Sequence, residues 1–245
     1  GAYELSYDFR LIRKMQSFRQ SSAPRPVTTV DQEKYARDLE SDSNITIDDR
    51  VKRMVNSICK EETDPVKQAR LVYDWIIDYA EYWKKDKSKY AASGHGNTNY
   101  FLDKKTGNCT DFHAAFVSMM RARGVPTRIN FGGVLWTNKD NTGQDLSYHC
   151  WPEFWVPGKN KNGHWVVVDP SQADVEPDKE DFYFGNLETR RIVWVTGRDI
   201  DMAPKQDAGT LEYMGKAYVE IDGKPFGMKG PVTDQKKTIR TFTYK

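Results

Sequence analysis

Helical periodicity governs the first half of the chain. Val51, Met54, Val55, Ile58 and Cys59 share one face of a helix begun by Asp48 or Asp49. Val66, Ala69, Val72, Tyr73, Ile76, Ile77 and Ala80 share a face of a second, with Asp64 as N-cap and Pro65 as its first residue. In a third segment Phe112, Ala115, Phe116, Met119 and Met120 recur at helical spacing. Thr106, Gly107 and Asn108 suit a helix interior poorly, so this helix begins close to Cys109. Its end is equally legible: Arg121 and Arg123 lie in the last turn, Gly124 fits a left-handed C′ position, and Pro126 cannot continue it. From Thr127 the pattern turns to strands, at about 127–136, 148–156, 164–169, 191–195 and 216–221. Helices followed by antiparallel strands predict an α+β fold, with the third helix packed against the sheet.

Toward the N-terminus, Tyr3, Leu5, Tyr7, Phe9 and Leu11 alternate with polar residues as in a half-buried strand. Such a strand needs a partner, either a C-terminal strand such as 238–244 or an upstream domain of which it is the last strand. Residues 17–29, rich in Ser, Pro and Arg, read as an extended linker. The expected division is therefore an N-terminal strand and linker over 1–30 and a core with C-terminal strands over 31–245. Lys84 to Asn99 reads as a polar loop bordering the site, and Thr137 to Ser147 as a second just before His149. The chain starts Gly-Ala-Tyr without methionine, as a processed or truncated protein would, which favours a periplasmic or extracellular address.

Charge excludes more than it suggests. The 37 basic and 35 acidic residues are spread evenly over 245 residues, so nothing points to nucleic acid or an anionic membrane as partner. The apolar runs are too short for a membrane span, and the mean hydropathy is −0.77. Three cysteines without a CxxC pair argue against both a disulfide framework and a zinc site. Cys59 reads as a buried small hydrophobe, and a Cys59 to Cys150 disulfide is not expected.

Three residues carry the chemistry. Cys109, at a helix start, meets unpaired N–H groups and the positive end of the helix dipole, which lower a thiol below its free value of about 8.5. His149 lies in the strand SYHCWPEFWV, where alternation puts it on one face with Trp151, Glu153 and Trp155. Asp169 ends the next strand, across a Gly- and Asn-rich turn. An antiparallel hairpin would bring it beside His149 to orient the imidazole and stabilise its protonated form.

In Gly107-Asn108-Cys109-Thr110-Asp111-Phe112, in Arg121-Ala122 with Gly124-Val125-Pro126 and Arg128, in His149 with Trp151, Glu153 and Phe154, and in Trp165, Val168, Asp169 and Ser171, the chain resembles the transglutaminase-like superfamily. Phe184-Gly185-Asn186, Gly197-Arg198-Asp199 and Tyr218 to Gly223 extend the likeness downstream. It is nearest a bacterial branch with one catalytic core. The resemblance implies a papain-related fold and a Cys109-His149-Asp169 triad. One departure is Cys150, where a small residue is more usual; alternation turns it away from the His149 side, as a packed side chain and not a second nucleophile.

The function expected is acyl transfer through a thioester without a cofactor, acting on a protein or peptide substrate. Hydrolysis is favoured over an amine acceptor, since no acidic Ca²⁺ loop occurs. The backbone N–H of Cys109 is the natural first oxyanion donor. The resemblance implies a second from an aromatic upstream, for which Tyr82 and Trp83, closing the preceding helix, are the candidates. Asp111 is expected to assist the helix start, His113 to make a structural hydrogen bond, and Glu153 to pair with Arg128. The other classes are a binding module with an idle triad, using Trp136, Trp151, Trp155 or Trp194, and a metal site on the same three side chains. The latter lacks paired-ligand spacing.

Overall fold

The computed structural model describes residues 10–18, 24–135, 142–144, 147–158, 162–214, 218–225 and 241–243. Its helices are α1 (Thr29–Lys34), α2 (Asp49–Cys59), α3 (Pro65–Tyr79), α4 (Thr98–Lys104), α5 (Cys109–Ala122) and α6 (Pro170–Val175). The strands are β1 (Gln16–Ser17), β2 (Glu81–Tyr82), β3 (Thr106–Gly107), β4 (Thr127–Val134), β5 (Thr142–Gln144), β6 (Ser147–Val156), β7 (His164–Val167), β8 (Asn186–Leu187), β9 (Arg191–Thr196), β10 (Glu220–Ile221), β11 (Lys224–Pro225) and β12 (Thr241–Thr243).

The expected caps are in place. The Asp48 side chain accepts from Val51 N at 2.9 Å, and Asp64 accepts from Val66 N at 2.8 Å with Pro65 following. Each satisfies a backbone donor that has no partner within its helix. The main sheet is antiparallel in the order β7-β6-β4-β9. On it lies α5, which also packs against α2, α3, α4 and α6 and so forms the centre of the molecule. A helix with neighbours on every side has no solvent face, and its polar residues must find partners inside the protein. They do: Arg121 reaches Asp42 at 2.7 Å and the Thr127 carbonyl at 2.8 Å, and the Ser118 hydroxyl donates to the Thr46 carbonyl. Gly124 takes φ +73°, the left-handed geometry that ends the helix.

Several expectations change in three dimensions. The helix before the site ends at Tyr79, so Tyr82 and Trp83 do not close it. Tyr82 instead lies in β2, paired parallel with β3 opposite Gly107, two residues before Cys109. The reason is the backbone: Glu81 N donates to the Lys105 carbonyl and Trp83 N to the Gly107 carbonyl, which moves this segment from the helix into a bridge beside α5. The 137–147 segment is not wholly loop, since β5 pairs antiparallel with β12. Residues 3–9 lie outside the described residues, and 10–15 take no regular structure. Within the expected linker, Ser17 joins Gln16 in β1, which pairs with β8. Of the 216–221 strand, Lys216 lies outside the described residues and the pairing is confined to the β10-β11 hairpin. Cys59 and Cys150 are both free and belong to different core clusters. No described helix is long and apolar enough to cross a membrane.

Strand β9 crosses β4 with a register shift between Phe131 and Gly132. At Gly132 a Cβ would fall 1.8 Å from the Ile192 carbonyl oxygen, a backbone atom that cannot move without breaking the pairing. Gly132→Ala is therefore expected to destabilise the protein by about 1–3 kcal/mol through overpacking. Thermal melting would register this as a fall of about 2–4 °C per kcal/mol for a chain of this size; an unchanged melting temperature would mean that β9 is free to shift.

Candidate active site

The helix start is built by Asn108 and Asp111. The Asn108 side chain accepts from the N–H groups of Thr110 and Asp111, while Asp111 accepts from Asn108 N at 3.0 Å, a reciprocal capping box. Fully buried, Asp111 also accepts from Ser93 N at 3.1 Å, Asn97 N at 2.9 Å and the Ser93 hydroxyl. It thereby fastens the 93–97 loop to the turn that presents Cys109, the supporting role read from its position. Cys109 is the first residue of α5, where its own N–H has no intrahelical carbonyl to meet.

Asp169 leaves β7 just after Val168, whose N–H still bonds to the Pro152 carbonyl at 3.0 Å, and becomes the N-cap of α6. Its carboxylate is 1% exposed and surrounded by donors. Oδ2 lies 2.7 Å from His149 Nε2 and 2.8 Å from Arg191 Nη1. Oδ1 lies 3.2 Å from His113 Nε2, 2.9 Å from the Ser171 hydroxyl and 2.9 Å from Gln172 N. Burial alone would raise this carboxyl, but the charges of His149 and Arg191 and the hydrogen bonds outweigh it, holding Asp169 well below the usual carboxylate range.

His149 uses Nε2 on Asp169, which leaves Nδ1 as the nitrogen open to another partner. Burial opposes its charged form, and the Asp169 carboxylate more than compensates, so its pKa is raised. The Cys109 thiol moves the other way. A hydrogen bond from Cys150 favours the thiolate against burial, the hydrogen bond and charge of His149 add to it, and the pKa falls well below the usual thiol value. The hairpin thus brings Asp169 to His149 as its turn predicted, and α5 brings Cys109 to the same point.

Cys150 is packed, as alternation predicts, in surroundings that alternation does not give. It does point away from the His149 and Trp151 face, but that is the side on which α5 packs, and it lies with Cys109, Ala114 and Val117 in one cluster. Alternation along a strand gives a direction and not what occupies it. Cys150 Sγ sits 3.1 Å from His113 Nδ1, so Cys150, His113 and Asp169 form a further Cys-His-Asp cluster beside the first. Arg191 opens a strand whose partner lies some 57 residues earlier (Arg191 opposite Val134), and no local signal in the sequence marks such an arginine as the neighbour of a buried carboxylate.

The remaining candidates have definite places. Tyr82 is packed against Cys109's cluster; burial, then the charges of Cys109 and Cys150, raise its hydroxyl pKa. Trp83 stands beside it, its N–H shielded from solvent. Arg128 and Glu153 are cross-strand neighbours joined at 2.9 and 3.0 Å, with the guanidinium over the Trp165 ring. Trp151 and Trp155 are buried, and Trp136 lies outside the described residues.

Residues 52–170, from α2 to just beyond Asp169, match the transglutaminase-like superfamily. The backbone agrees with a crystal structure of a candidate cysteine protease from Cytophaga hutchinsonii at a TM-score of 0.51 and 16% identity, over 75% of this chain and 53% of that one. Over residues 52–170 the fold is transglutaminase-like. An uncharacterized protein of Haemophilus influenzae is 28% identical over 236 residues, 83% of this chain and 60% of its own length. The chain thus spans little more than half the length of these proteins.

Arg191 is 2% exposed, so its loss would leave the Asp169 charge short of its partner in a dry interior. Arg191→Met is expected to cost about 3–5 kcal/mol in urea denaturation at neutral pH; a loss under about 1 kcal/mol would show that the imidazoles suffice. The depressed Asp169 value also sets an acid limb. Its contribution to stability is complete above the ordinary carboxylate value of about 3.9 and is lost as pH falls through the lower folded value. Asp169→Asn should flatten that limb in a pH series of unfolding midpoints.

Proposed function

We propose that this protein is a cysteine-dependent acyl-transfer enzyme acting on amide bonds, with Cys109 as nucleophile, His149 as acid and base, and Asp169 as the residue that orients His149. The observation that carries the proposal is the imidazole of His149 held at 2.7 Å by a buried Asp169, with its charge acting on the thiol at a helix start. A depressed thiol beside a raised imidazole favours a thiolate-imidazolium pair. The thiolate attacks the carbonyl carbon, and the imidazolium gives its proton to the leaving amine as the C–N bond breaks. The thioester then passes to water, with His149 taking the proton of the attacking molecule.

The oxyanion formed in each half-reaction needs donors. The N–H of Cys109 is one, and the Tyr82 hydroxyl is the second, a role favoured by its packing beside Cys109 and by a raised pKa that keeps it protonated. A protein or peptide is the substrate class proposed. Water is preferred to an amine as acceptor, because the sequence has no acidic Ca²⁺ loop of the kind a cross-linking enzyme would use. A binding module with an idle triad is disfavoured by the burial of Trp151 and Trp155, which removes two of the aromatic platforms it would use.

The competent ion pair exists between the lowered Cys109 value and the raised His149 value, so reactivity should begin well below pH 8.5 and decline only as His149 loses its proton. Iodoacetamide labelling followed by peptide mass spectrometry is expected to find Cys109 modified with an apparent pKa well under 8.5 in the wild type. In His149→Ala that value should return toward about 8.5. Slow labelling near pH 8.5 in both proteins would overturn the proposal, as would preferential labelling of Cys150. Tyr82→Phe should lower turnover on a peptide amide on the order of 10²-fold; an unchanged rate would remove Tyr82 from the oxyanion site.

A further inference from the structure

Two thiols stand at this helix start, and the chemistry proposed above uses one. Cys150 is fully buried, yet its surroundings are not those of an inert core cysteine. Its sulfur lies 3.1 Å from His113 Nδ1, belongs to the same core cluster as Cys109, and shares with it the hydroxyl of Thr110, 3.7 Å from Cys150 Sγ and 3.9 Å from Cys109 Sγ. His113 Nε2 meets Asp169, an ionised acceptor, so Nε2 must donate. A neutral imidazole that donates through Nε2 has its lone pair on Nδ1. In that tautomer the atom facing Cys150 is an acceptor for its proton. Each thiol has its own imidazole, and both imidazoles are held by one carboxylate.

We infer that Cys109 and Cys150 are a reversible oxidation site, closed to a disulfide by a hydroperoxide, with Cys150 as resolving thiol and His113 as its base. The inference rests on the proposed thiolate character of Cys109. In the first step the Cys109 thiolate attacks the terminal peroxide oxygen. The O–O bond breaks, the departing oxygen takes the His149 proton as water or an alcohol, and Cys109 becomes a sulfenic acid. In the second, His113 Nδ1 takes the Cys150 proton and the new thiolate attacks the Cys109 sulfur. The S–O bond breaks, and the hydroxide leaves as water with the proton from His113. Two thiols lose two electrons and the peroxide gains them.

The product holds the nucleophile in the disulfide, so acyl transfer stops until a dithiol reductant reopens it. The sulfenic acid is also consumed before it reaches the irreversible sulfinic stage. Cys59 is an internal control. It lies in the other core cluster with its sulfur 3.8 Å from the Gln68 carbonyl, and burial raises its pKa.

The test uses the reduced full chain, treated with a modest excess of hydrogen peroxide near neutral pH, then blocked with iodoacetamide and digested without reductant. Mass spectrometry is expected to find the Cys109 and Cys150 peptides joined with the loss of two hydrogens, and Cys59 outside that link. Dithiothreitol should restore iodoacetamide reactivity to Cys109. In Cys150→Ala, Cys109 should pass to sulfinic or sulfonic acid that dithiothreitol cannot reverse. The wild-type cross-link stands as evidence whether or not that variant folds. Sulfinic acid at Cys109 of the wild type with Cys150 still a thiol would overturn the disulfide and leave the thiolate reading intact. A Cys109 that neither oxidises nor labels would overturn both.

Discussion

The buried charge of Asp169 is the constraint around which the site is arranged. An ionised carboxylate out of water is costly unless positive charge and hydrogen bonds replace its hydration. Here the replacements come from four parts of the fold: His113 on α5, His149 on β6, Arg191 on β9, and Ser171 with the Gln172 N–H at the start of α6. Each must be in place for the others to be stable, so sheet order, helix packing and the entry to α6 are coupled through one side chain. The same atoms that satisfy the charge also fix which nitrogen of His149 faces Cys109. Stability and preorganisation of the imidazole therefore have a common source.

A second constraint is the central position of α5. Because it is enclosed, its polar residues form internal bonds, and three of those serve the site. Asp111 anchors the loop before Cys109, His113 joins Asp169 to Cys150, and Thr110 lies between the two sulfurs. In a water-poor site of this kind, electrostatic contacts are stronger than at the surface and cost little rearrangement during reaction. That is the physical basis for reading Cys109 as a thiolate although it is only 4% exposed. The closeness of Cys150 follows from the same packing, since the strand face that α5 covers is the one on which Cys150 projects.

What could be read from the residues in order was everything that depends on short range. The N-caps at Asp48 and Asp64, the start of α5 at Cys109 and its end at Gly124 rest on backbone groups a few residues apart, and they match. The β6-β7 hairpin and the Arg128-Glu153 pair are nearly as local, because a short turn sets their register. The contact of His149 with Asp169 was legible through the context of each residue.

Other features depend on which elements meet, and their signals are not local. Tyr82 lies beside Gly107 because a two-residue parallel bridge stops the preceding helix early, a contact no propensity encodes. Arg191 reaches Asp169 because β9 adds to the far side of β4, and Cys150 joins the site because α5 covers that strand face. Periodicity tells each side chain which way to point, through bonds that span three or four residues. The identity of its neighbour is settled by burial of apolar surface and pairing of buried charge across the whole molecule, where residues distant along the chain compete for the same position.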